Sequence, residues 1–187
     1  MDLVNALLKN MTNESSIDAL KGKTGGSSKQ VESAVKAAIP SLIGSMTKNA
    51  SSDEGAKSLL GALGQHKNTD SISSQIKNAD ELDGSKIIAK IMGGGKDDFI
   101  KEISKSSGLD ITQSKSVLSS IAPAILSSLS AATSSEKKDA KDEKLDTSSI
   151  GSFVKSLVMD EDDRKAAKSL KGASSSSLLD ILKKTVL

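Results

Sequence analysis

The sequence has no cysteine, no tryptophan and no tyrosine, and its 187 residues include two phenylalanines, Phe99 and Phe153, and one histidine, His66. Without cysteine there is no disulfide, no thiolate nucleophile and no zinc–thiolate site. With one histidine, a zinc ion would have to rest on three carboxylates, an unusual ligand set. The near-absence of aromatic rings removes the stacking platforms on which single-stranded nucleic acids and many ring-shaped ligands are held. It also leaves a core of Leu, Ile, Val, Ala and Met, which favours helix packing over a sheet. Arginine is as scarce: Arg164 stands alone among 26 basic residues, so the bidentate recognition of phosphate and guanine that arginine provides is largely missing. The net charge of +2 points to no particular partner. No unbroken apolar run approaches the ~18 residues of a membrane span. Asp2 stands where a secretory leader carries positive charge. A cytoplasmic location is the expectation.

What is present is present twice. Gly108–Leu129 reads GLDITQSKSVLSSIAPAILSSL, and 83 positions earlier Gly25–Met46 reads GGSSKQVESAVKAAIPSLIGSM. In that register Gly25 matches Gly108, Ser27 matches Asp110, Gln30 matches Gln113, Ser33 matches Ser116, Pro40 matches Pro123 and Ser45 matches Ser128. Upstream, Ile17 and Leu20 match Ile100 and Ile103. Each copy opens with a glycine able to end one helix in the left-handed region. Capping boxes follow, Ser27 with Gln30 and Asp110 with Gln113. Apolar residues then recur at helical spacing, from Val31 to Met46 and from Val117 to Leu129. Pro40 and Pro123 predict a kink or break at the same place in both. The expected unit is a short helix followed by a long one.

Along the rest of the chain the pattern predicts a helix over Asp2–Met11 capped by Asp2, and a short second helix capped by Ser15 or Ser16 and stopped by Gly22. A helix capped by Ser51 or Ser52 should end at Gly64, leaving Gln65–Asp83 loop-like with one turn near Ile72 and Ile76. Ser85–Met92 reads as a short helix closed by Gly93–Gly95, after which Asp97 caps the helix leading to the second copy. The fold class is all-α: a helical bundle built from the repeated unit over residues 1–132. A charged stretch, 133–147, serves as a solvated helical extension or linker. Residues 148–187 read as a C-terminal helical hairpin, with Ile150, Phe153, Val154, Leu157 and Val158 at i, i+3, i+4 spacing.

KNASSDEGAKSLLGALGQH (Lys48–His66) resembles the asparagine, glycine, leucine and histidine signature of the YidB-like family of bacterial proteins. DGSKIIAKIMGGGK (Asp83–Lys96) resembles its second signature, SGLDITQSKSVLSSIAPAILSSL its third, and MDLVNALL its usual start. The resemblance covers about residues 1–132 and implies a helical fold with no established activity. It supplies no catalytic residues.

Candidate chemistry is sparse. His66 lies just past Gly64, where an imidazole can cap carbonyls or serve as a base, and a base needs a partnered nucleophile or a positioned carboxylate. The GGGK run, Gly93–Lys96, follows a helix rather than a strand and precedes Asp97 and Asp98, so it reads as a turn and not a phosphate loop. The DEDD run, Asp160–Asp163, lacks the calcium-loop pattern and suits a helix N-terminus. No catalytic, cofactor or metal residues, no small-molecule ligand and no enzyme activity are expected. The favoured role is protein–protein interaction or self-assembly through small-residue-rich helices. The alternative is DNA binding by tandem helix-turn-helix-like units. Ser28, Lys29 and Gln30 in one, and Thr112, Gln113, Lys115 and Ser116 in the other, would then face the major groove. Asp110, Glu32 and the missing arginines weigh against it.

Overall fold

The computed structural model describes residues 3–136; most of the charged stretch, the expected C-terminal hairpin and the DEDD run lie outside the described residues. The described chain is helical: α1 (Leu3–Met11), α2 (Glu14–Thr24), α3 (Ser28–Asn49), α4 (Asp53–Gln65), α5 (Ile72–Lys77), α6 (Glu81–Met92), a single 3₁₀ turn at Gly93–Gly95, α7 (Lys96–Ser107) and α8 (Ile111–Glu136). No strand occurs among the described residues. The all-α class follows.

The local geometry agrees at positions 83 apart. Gly25 and Gly108 both adopt left-handed φ, 70° and 75°, and each donates its N–H to a carbonyl four residues back, Lys21 and Ser104. Just before each glycine a hydroxyl turns back: Thr24 Oγ1 donates to Leu20 O at 2.9 Å, and Ser107 Oγ donates to Ile103 O at 2.6 Å. The same hydroxyls then accept from the N–H of Gly26 and Leu109. Both capping boxes form. Gln30 N donates to Ser27 Oγ while Ser27 N donates to Gln30 Oε1, and Gln113 and Asp110 repeat the exchange.

Neither long helix breaks at its proline. Proline removes one backbone donor, which a helix tolerates when the freed carbonyl meets water or a close neighbour. Pro40 is exposed. At Pro123 the freed carbonyl belongs to Ser119, and there α6 makes its closest approach to α8. An added Cβ on Gly84 would lie 1.8 Å from Ser119 O.

Helix α8 is the axis of the bundle, packing against α1, α2, α3, α4, α5, α6 and α7. Its length and a mean hydropathy of 1.4 over an 18-residue window within Ile111–Thr133 would suit a membrane span, yet 78% of that window is buried in the bundle. Serines interrupt its apolar runs, which is why the sequence shows no long one. Ser114, Ser119, Ser120, Ser127 and Ser130 are all buried, beside Leu118, Ile121, Ala122, Ile125 and Leu129. Packing across the two long helices is reciprocal: α2 touches α3 and α8, and α7 touches α8 and α3.

Several boundaries differ from expectation. Helix α2 is capped by Asn13, whose side chain accepts from Ser16 N, and it runs through Gly22 to Thr24. Ser16 is buried instead. Helix α4 passes through Gly64, which carries no positive φ. Helix α6 begins at Glu81 rather than Ser85, because Asp80 accepts from Leu82 N and Asp83 N. Asp97 lies in the first turn of α7 without capping it.

Glycine substitutions should separate close packing from idle flexibility. Gly84→Ala must push α6 off Ser119 and should lower unfolding free energy by about 2 kcal/mol or more. Gly44→Ala in α3, where an added Cβ meets nothing within 4 Å, should raise it by about 0.5–1 kcal/mol through helix propensity. Urea unfolding of the two variants, read by circular dichroism, gives opposite signs.

Candidate functional site

A groove of about 430 Å³ runs between α4 and α6. Both helices pack on α8, and between them they leave a channel whose floor includes Leu126 of α8 and Met46 of α3. Helix α4 contributes Ser58, Leu59, Ala62 and Gln65, and α6 contributes Lys86, Ile87, Lys90 and Ile91. About half of the lining residues are polar, set around an apolar floor.

The groove is tied at both ends. At one end α3 finishes in Asn49, whose side chain Nδ2 donates to Ile91 O at 2.8 Å. The last carbonyls of a helix have no partner within it, so Asn49 caps α6 from another helix. The chain then folds back over Asn49: Ser52 N and Oγ both donate to Asn49 O, and Ser52 Oγ accepts from Gly55 N. An added Cβ on Gly55 would lie 1.9 Å from Asn49 O. Only glycine fits that fold-back.

At the other end is His66. Its backbone N–H donates to Ala62 O, making it the residue that closes α4. Its ring faces Asp83 of α6, with Nε2 3.8 Å from Oδ2, and the two side chains are 17% and 46% exposed. The cap on α4 is thus a backbone N–H rather than the expected imidazole, and the ring instead faces a carboxylate of α6 that the sequence pattern leaves in a loop. His66 and Asp83 also line a second cavity of about 410 Å³ on the side of Pro123 and Ser127, so the pair stands between two hollows. No hydrogen bond joins His66 to a hydroxyl among the described residues. No group of three or more metal-ligating side chains occurs among them either. The glycine turn at 93–95 joins α6 to α7, with Gly93 at φ 54° and no phosphate-loop geometry.

The residues of the DNA-binding alternative sit at the N-terminal tips of α3 and α8, which abut. Gln30 Nε2 donates to Gly108 O, and Gln113 Nε2 lies 4.0 Å from where a Cβ on Gly25 would be. Gln30 and Gln113 are thus engaged within the fold, as is Ser116, whose Oγ donates to Glu81 Oε1 at 2.8 Å. Ser28, Lys29, Thr112 and Lys115 are exposed. Nearby lysines alternate with acids, as in the Lys36–Glu32 pair at 2.6 Å and Lys101–Asp98 at 3.3 Å.

A family model described as "bacterial protein of unknown function" (DUF937) matches residues 6–132 of the chain. No curated protein and no solved structure matches it. The matched span contains the whole groove, whose lining comes mainly from Lys48–His66 and Asp83–Lys96.

Asn49→Asp replaces the donor to Ile91 with a carboxylate at the negative end of α6. It should cost about 1–2 kcal/mol of stability and speed amide hydrogen exchange at the C-terminal turn of α6, read by mass spectrometry. Unchanged exchange there would mean that the Asn49 tie is not what holds the groove.

Proposed function

Since this chain belongs to the bacterial family of unknown function whose model it matches, we propose that it is a non-enzymatic, cytoplasmic protein–protein interaction or self-assembly module that works through the α4–α6 groove. The observation that carries this reading is the groove's construction. Two helices face each other over a common floor, with Asn49 of α3 bonded to Ile91 O of α6 at one end and the His66 ring 3.8 Å from Asp83 at the other. Between them the apolar lining is largely buried, with Ala62 and Ile91 half-buried where a partner can reach it. The same reading takes α2–α3 and α7–α8 as one duplicated unit. Matched caps, matched prolines and reciprocal packing support it.

DNA binding is less favoured because Gln30, Gln113 and Ser116 already spend their hydrogen bonds within the fold. Phosphate contacts also need a local excess of cations. Two variants tell the readings apart. Ser58→Arg places a charged side chain into the groove from an exposed position. It should reduce recovery of nuclease-resistant partners from host lysate by about tenfold or more, as loss of a central contact does. Lys29→Glu/Lys115→Glu should leave that recovery unchanged. The reverse result, with partners lost to the lysine changes and to nuclease but retained in Ser58→Arg, would replace this reading with the DNA-binding one.

A further inference from the structure

The rim of the groove carries an unbalanced charge. Lys86 and Lys90 stand one turn apart on α6, both exposed and both lining the groove, and neither forms an ion pair among the described residues. The one carboxylate in the lining, Asp83, faces His66. Ala62 and Ile91 are half-buried at the floor, so the groove suits apolar side chains there and acids at the rim.

The chain itself carries such a sequence. Ile150, Phe153, Val154, Leu157 and Val158 recur at the spacing of one helix face, and Asp160, Glu161, Asp162 and Asp163 follow directly. It is within reach. Leu126 lies on the groove floor, and the end of α8 at Glu136 is about 15 Å further along the helix axis at 1.5 Å per residue. From there the stretch to Ile150 spans at most about 50 Å when extended. A tether of that length raises the effective concentration of the segment at the groove to roughly the millimolar range.

We propose that the α4–α6 groove binds this chain's own Ile150–Asp163 sequence in cis. The apolar residues lie against Leu59, Ile87 and Ile91, and the acidic run meets Lys86 and Lys90. This rests on the groove being the interaction site, and it adds that a partner has to displace the chain's own segment.

The absence of native cysteine gives a clean test in the full-length protein. Ser58→Cys/Val154→Cys should form an intrachain disulfide under mild oxidation at least about tenfold faster than the control pair Ser58→Cys/Ser175→Cys, as a held segment does over a merely tethered one. Non-reducing electrophoresis and peptide mass spectrometry read the product. Adding Lys86→Glu/Lys90→Glu should slow the reaction about fivefold, the scale of two rim charge pairs, and Asp160→Lys/Asp162→Lys in that background should restore it. Equal rates for the two cysteine pairs, disulfides that join two chains, or indifference to both charge reversals would each overturn the proposal. If the rates are equal while Ser58→Arg still loses partners, the groove reading stands and only the cis occupant falls.

Discussion

The close crossing of α6 over α8 at Gly84 is the constraint on which the rest of the structure depends. Helix axes approach closely only where side chains are small, and Gly84 meets the backbone of Ser119 directly. Pro123 strips Ser119 of its usual intrahelical donor, so the carbonyl is available at the point where α6 arrives. Ser120, next along, is buried with no hydrogen-bond partner for its hydroxyl, as is Ser114. Such hydroxyls are tolerated where a larger side chain would hold the helices apart. With α6 fixed this low on α8, α4 can lean on the same helix and leave a channel rather than a packed seam.

Much of the helix framework was legible because its signals are local. The capping boxes at Ser27–Gln30 and Asp110–Gln113, the left-handed glycines Gly25 and Gly108, and the apolar periodicity of α3 and α8 depend on residues within one turn of each other. The misread boundaries fail for a matching reason. Gly22 and Gly64 look like helix stops, but tertiary packing carries α2 and α4 past them. The start of α6 was hidden because Asp80 caps in front of an acidic run that reads as loop.

The groove was not legible. It depends on which helices share a floor, and nothing in the spacing of Leu59 or Ile87 says that they face one another across α8. Its only trace in the sequence was the signature resemblance of Lys48–His66 and Asp83–Lys96, and the structure gives those stretches a physical content. Asn49 caps a foreign helix, Gly55 admits a backbone fold-back, and His66 meets Asp83. Each is a contact between segments far apart in sequence or a steric demand created by one.

Where the groove lies follows from how the bundle departs from symmetry. On the duplicated-unit reading, α1–α3 and α6–α8 correspond, and α2 on α8 mirrors α7 on α3. Helices α4 and α5 lie in the stretch that joins the two units. Helix α4 packs on α8, its start folded back onto Asn49 of α3 and its closing residue His66 facing Asp83 of α6. On that reading the cleft arises where α4, from the stretch between the units, meets α6 over the floor that α8 provides.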